Sequence, residues 1–149
     1  MMRKWTFRAN GQTFVLVKRP EEREVHVLMK VFLAKLYGPT YPNLRIEVRH
    51  ATELRYKPDV LSLDGQGEAL FWGECGEVSR KKLTYLCFAK WSIRPRPFEQ
   101  LIEQAVRQVK RPRAAPVDFI NFADDHQYEV GEQGEVTLDW SAVTYRRWE

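Results

Sequence analysis

Lys57-Pro58-Asp59-Val60, followed by Phe71-Trp72-Gly73-Glu74-Cys75-Gly76, is the stretch on which the reading of this chain turns. Between the two pieces lie the apolar run Val60-Leu61-Ser62-Leu63, then Asp64-Gly65-Gln66-Gly67, then a second apolar run. Asp-Gly is a strong hairpin signal, because glycine accepts the positive φ of a tight turn. The pattern predicts two strands joined by a tight turn, with one carboxylate on each strand. With Gly65 and Gln66 as the loop, Asp64 opposes Gly67 and Asp59 opposes Trp72. Side chains alternate faces along a strand. Asp59 and Glu74 then share a face as diagonal neighbours, roughly 7–8 Å apart at the backbone. Two carboxylates so placed can lean around one hard divalent cation. An odd-length loop would put them on opposite faces. The plain alternative is two solvated acids on an exposed sheet face.

Outward from this hairpin, Asn10-Gly11 predicts a second one, with strands near Lys4–Arg8 and Thr13–Lys18. Pro20 is expected to open a helix reaching Tyr37, since proline suits a helix start and Glu21, Glu22 and Glu24 suit its positive end. Val25, Leu28, Met29, Phe32, Leu33 and Leu36 form its apolar stripe, and Gly38-Pro39 ends it. Asn43–Arg49 alternates as a strand. Ser79 is an N-cap for a helix beginning in Arg80-Lys81-Lys82. Leu86–Ala89 is either the last turn of that helix or a short strand. Pro97–Val109 forms an amphipathic helix, Val117–Phe122 a strand, and Tyr128–Val130 with Glu135–Trp140 a final hairpin. No repeat or linker divides the chain. This order gives an α/β or α+β domain with a mixed central sheet.

The chain has 149 residues, 44% hydrophobic and 30% charged, which suits one soluble domain with a real core. No apolar run is long enough to span a bilayer, and the first residues lack a secretory signal, so a cytoplasmic location without a membrane partner is expected. Cys75 and Cys87 provide neither a disulfide framework nor a four-ligand zinc set, and read as small buried hydrophobes. His26, His50 and His126 lack metal-ligand spacing and read as packing or surface residues. The net charge of +4 permits a polyanionic partner. Arg94, Arg96, Arg107, Lys110, Arg111 and Arg113 cluster near Trp91 and Phe98, a mixture that suits phosphates and stacked bases or, equally, a solvated helix face.

Pro58-Asp59 on one strand, Glu74 on its partner, an acid on the preceding helix and a basic helix afterwards resemble the core of the PD-(D/E)xK nuclease superfamily. The usual lysine two residues after the acid is Gly76 here. One branch, the YaeQ-like proteins, has glycine there and carries the basic residue on the next helix. Trp72-Gly73-Glu74-Cys75-Gly76, the following Arg80-Lys81-Lys82-Leu83, and Pro20-Glu21-Glu22 are similar to that branch. The resemblance covers roughly residues 14–90, and more loosely the C-terminal strands. It implies one nuclease-like domain over residues 1–149, with a restriction-endonuclease-like core: an α/β fold with a mixed central sheet flanked by helices, plus terminal β-hairpins.

The resemblance also implies a site and a reaction. Magnesium or manganese, held by Asp59, Glu74 and the carbonyl of Cys75, would polarise a phosphodiester and activate water. Lys82, or else Lys81, would stabilise developing negative charge. Glu22, or else Glu24, would complete the site. Lys81, Arg94 and Arg96 would meet the nucleic-acid backbone. A second copy, in a homodimer, would let so small a domain grip a duplex. Two other readings stay open: a nuclease-fold module that binds nucleic acid without cutting it, and a protein-interaction domain whose acids merely line a polar pocket.

Overall fold

Asn10 and Gly11 both take positive φ, 54° and 75°, as a two-residue primed hairpin turn requires. They join β1 (Arg3–Ala9) to β2 (Gln12–Lys18), with Ala9 opposite Gln12 and Phe7 opposite Phe14. This is the expected hairpin, slightly longer. The computed structural model describes residues 3–47, 57–76, 103, 116–122 and 130–148. The expected elements over 79–109, with Lys81, Lys82, Arg94 and Arg96, lie outside the described residues, apart from Glu103.

The helix α1 spans Glu24–Tyr37, not Pro20–Tyr37. Pro20 and Glu21 instead form a turn closed by the Glu22 N–H donating to the Arg19 carbonyl at 3.1 Å. A proline's fixed φ serves the second position of such a turn as well as the first position of a helix. Nothing local separates the two, so the true start follows Arg23, whose carbonyl accepts from His26 and Val27. Glu22 therefore precedes the helix. Met29, Phe32, Leu33 and Leu36 are buried as expected, whereas Val25 is exposed. Val27, Lys30, Val31, Ala34 and Tyr37 are buried too, so the helix is covered on more than one side. Its C-terminal carbonyls are satisfied from outside: Asn10 Nδ2 donates to the Ala34 and Lys35 carbonyls at 3.3 and 2.9 Å.

Three strands pair antiparallel in the order β3 (Arg45–Ile46), β4 (Val60–Leu63), β5 (Ala69–Gly73). Among the described residues of the expected strand Asn43–Arg49, β3 covers Arg45–Ile46 and Glu47 turns to a φ of 55°; Val48 and Arg49 lie outside them. The β4–β5 loop is longer than expected. Asp64 pairs with Glu68 through an N–H to carbonyl bond of 2.9 Å, so Gly65, Gln66 and Gly67 form a three-residue loop with Gly67 at φ 84°. The register then shifts between Ser62 and Leu63: Leu63 faces Ala69, Ser62 faces Phe71, and Leu70 is the extra residue. That bulge offsets the odd loop. Val60 faces Gly73, so one step further Asp59 stands level with Glu74, rather than opposite Trp72.

The third antiparallel pair is β6 (Val117–Asn121) with β7 (Thr144–Trp148). β6 is close to its expected span. Of the expected terminal hairpin, Tyr128 and Glu129 lie outside the described residues; Val130 and Val136 form an antiparallel bridge closed by the Gly131 N–H on the Glu135 carbonyl at 2.9 Å, Glu135 bridges in parallel to Arg8, and Trp140–Ala142 is a single 3-10 turn. Asp139 ends the extended run by accepting from the Ser141 N–H. Gly134, at φ 81°, lies so close to β1 that a Cβ there would come within 2.1 Å of the Thr6 carbonyl oxygen. Among the described residues the strands thus form several antiparallel sheets around one α-helix, not a single mixed sheet. The core joins Phe7, Phe14, Leu16, Met29, Leu33, Val60, Phe71 and Ile120.

Candidate functional site

Pro58 is buried at the entrance to β4, and Asp59 follows as the strand begins. The Asp59 N–H donates to the Gly73 carbonyl and its own carbonyl accepts from the Glu47 N–H, both at 3.0 Å. Its carboxylate Oδ2 accepts from the Cys75 N–H at 2.8 Å. The aspartate is therefore held by its neighbours at both the backbone and the side chain.

α1 supplies the opposite wall. His26 and Lys30 lie four residues apart on one side of the helix, and Glu22, just ahead of it, meets both. Glu22 Oε1 accepts from Lys30 Nζ at 2.6 Å and meets His26 Nδ1 at 2.8 Å. Lys30 Nζ also donates to Glu47 Oε1 at 2.7 Å. His26 Nε2 meets the Cys75 carbonyl at 3.2 Å and lies 3.8 Å from Asp59 Oδ2. The contacts close a circuit: Asp59 to Glu47, Lys30, Glu22, His26, Cys75 and back to Asp59. It borders a cavity of about 380 Å³ lined by its members Glu22, His26, Lys30, Glu47 and Asp59 together with Arg19, Glu21, Lys57 and Pro58.

Charge states follow from these contacts. Lys30 is buried, and burial opposes its charge, yet hydrogen bonds to Glu22 and Glu47 outweigh this and raise its pKa. Burial works the other way on Glu22, where bonds from Lys30 and His26 prevail and hold its carboxyl below the usual range. His26 is raised chiefly by Asp59, and Glu22 adds to this. Both its ring nitrogens face acceptors, so both carry protons in this arrangement. The Cys75 thiol is fully enclosed and pushed well up by burial, which leaves its backbone as the part that works.

Glu74 is placed differently. It is 3% exposed, and its Oε1 accepts from the Trp72 indole N–H at 2.9 Å. It is not among the described residues that line the cavity. The structure therefore brings Asp59, Glu22 and the Cys75 backbone together and sets the Glu74 carboxylate against Trp72. Glu24 lies exposed in the first turn of α1. Among the described residues no group of three or more His, Cys, Asp or Glu side chains is arranged as a metal site. His26, Lys30 and Glu47 are the residues that sequence reasoning missed. The four-residue recurrence of Glu22, His26 and Lys30 was the available signal for the first two.

No family model and no curated protein matches the chain. Among solved structures it is similar to the YaeQ protein from Xanthomonas axonopodis pv. citri, with a TM-score of 0.56 and 14% identity over 80% of this chain and 73% of that one. It is also similar to the YaeQ protein from Pseudomonas syringae, with a TM-score of 0.53 and 15% identity over 76% of this chain and 66% of that one. The fold is YaeQ-like. At these identities the likeness is one of fold, and the chemistry has to be argued from the circuit itself. Among the described residues no helix is long and apolar enough to cross a membrane.

Proposed function

We propose that this chain is a magnesium- or manganese-dependent phosphodiesterase acting on DNA or RNA, built on a restriction-endonuclease-like core of the PD-(D/E)xK type. The observation that carries the reading is the placement of Asp59, directly after Pro58 at a strand start, in a charged cavity walled by Glu22, Lys30 and Glu47. Hard oxygen donors suit magnesium, which needs only one or two protein carboxylates and keeps several waters. Asp59 would be the principal ligand, with the Cys75 carbonyl beside it, and Glu74 would join them only by turning its carboxylate from Trp72. When bound, the ion would supply a Lewis acid and a more acidic water. The chain's own residues do the rest. The Cys75 N–H fixes one oxygen of Asp59, and His26 and Glu22 keep the Cys75 carbonyl in register. Lys82 or Lys81 would neutralise charge on the phosphoryl group, and Lys81, Arg94 and Arg96 would follow the nucleic-acid backbone, which a homodimer would grip from two sides.

Incubation of the chain with plasmid, single-stranded DNA and RNA in magnesium or manganese should give cleavage that Asp59→Ala abolishes. A wild-type chain that cuts none of these sinks the proposal.

A second reading has its own support. Glu74 Oε1 is already engaged by Trp72, and Gly76 stands where a lysine is usual. A module that binds nucleic acid without cutting it would show salt-dependent binding, because phosphate contacts release counterions, and no hydrolysis in either metal.

A further inference from the structure

Lys30 has a property that the circuit alone does not use. An ammonium carries three donors. Among the described residues two of them are taken, by Glu22 Oε1 at 2.6 Å and Glu47 Oε1 at 2.7 Å. The side chain is only 5% exposed, yet it lines the cavity. The side chain thus borders the space where a ligand would sit. Arg19 and Lys57 line the same cavity, but both are exposed, where solvent and salt weaken a charge. The buried ammonium is held in place by two carboxylates, which offset its charge but leave its third donor pre-positioned, so it needs no reorganisation on binding.

Given the phosphodiester reading of this cavity, we propose that Lys30 is a substrate-binding residue: its third N–H donates to a non-bridging oxygen of the bound phosphate. The ligand class is an anionic oxygen, and a lone anion would be disfavoured there. Glu22 and Glu47 present two negative charges to Lys30 and the protonated His26, and Asp59 and Glu21 add two more. Added positive charge is needed, which a divalent ion at Asp59, together with Arg19 and Lys57, supplies. Binding of phosphate at Lys30 is therefore expected to depend on the metal.

The test uses the full chain and a phosphorothioate thymidine dinucleotide, added with magnesium. A buried, hydrogen-bonded ammonium exchanges its protons slowly, so Lys30 gives its own signal in proton–nitrogen spectra, identified by its loss in Lys30→Arg. The expected result is that this signal shifts on adding dinucleotide with magnesium and not with dinucleotide alone. Calorimetry should show binding about ten- to a hundredfold weaker in Lys30→Arg, the loss of one charge-assisted hydrogen bond in a fixed geometry. If the dinucleotide binds the wild type while the Lys30 signal stays still, Lys30 is not a ligand contact and the phosphodiester reading survives. If nothing binds with or without magnesium, the phosphodiester reading falls and Lys30 falls with it. Should Lys30→Arg fail to fold, through-bond correlation along the Lys30 side chain of the wild type identifies the signal, and the wild-type spectra then decide.

Discussion

At the scale of single residues, the most informative side chains are those whose charge is set by contact. His26 has a pKa raised above its ordinary 6.5. A group raised on folding stabilises fully below its unfolded pKa and loses that contribution as pH rises through the folded one. Glu22 is held below its ordinary 4.5, so its contribution is present above that value and is lost as pH falls through the lowered one. Both act together between pH 4.5 and 6.5. Thermal melts of His26→Gln should therefore show the largest loss relative to wild type in that window. The gap should narrow as pH rises through the raised His26 value; a gap that widens on the alkaline side would contradict the assignment. Lys30→Met should cost about 3 kcal/mol or more in denaturant unfolding, because Glu22 and Glu47 lose the buried charge that pairs them. A loss well under 1 kcal/mol would mean that both carboxylates relax into solvent. Of these partners only Glu22 was legible as a site residue, through the family resemblance. A histidine and a lysine on an apolar helix carry no motif beyond their four-residue spacing from Glu22, and a glutamate beyond a short strand acquires its role only when the chain folds back.

At the scale of elements, alternation and turn chemistry were legible wherever one residue pair settles the backbone. Asn10-Gly11 specifies its hairpin because both residues must go left-handed. The Asp59 hairpin was legible in kind but not in register. Its loop has three residues, and only the bulge at Leu70 restores the alignment; a bulge depends on how the strands twist against the core, which no local composition reveals. The strand β7 was missed because Thr144-Tyr145-Arg146-Arg147-Trp148 is mostly exposed and lacks an apolar alternation. Gly134 tests how closely the C-terminal segment lies on β1. A methyl group there meets the Thr6 carbonyl at 2.1 Å and must also hold φ at 81°. Gly134→Ala should lower stability by roughly 2 kcal/mol or more, read from the denaturant midpoint. An unchanged midpoint would show that this segment can leave β1 without cost to the rest.

At the scale of the whole molecule, α1 is the element that the rest share. Its Tyr37 hydroxyl donates to Asp118 on β6, and Asp118 also receives Arg147 of β7 at 2.6 and 3.0 Å. Asp118 is 1% exposed, so removing it takes a buried acceptor away from the Tyr37 hydroxyl and the Arg147 guanidinium. Asp118→Ala should destabilise by about 3 kcal/mol or more, with one cooperative unfolding step if the pairs fold as a unit. The same helix carries Lys30 and His26 to the strand end that bears Asp59, so fold and candidate site depend on one packing arrangement. From the sequence, Asp59 could be singled out because proline before an acid at a strand start is local. The burial of Glu74 against Trp72 could not, since it depends on which face the sheet turns toward the core. The account stands most directly on Asp59 as a cation ligand in this cavity. Titration of the full chain with manganese by calorimetry should give saturable binding in the wild type and a loss of at least tenfold in affinity in Asp59→Asn. Saturable binding that Asp59→Asn leaves unchanged, or no binding at all by the wild type, would contradict it.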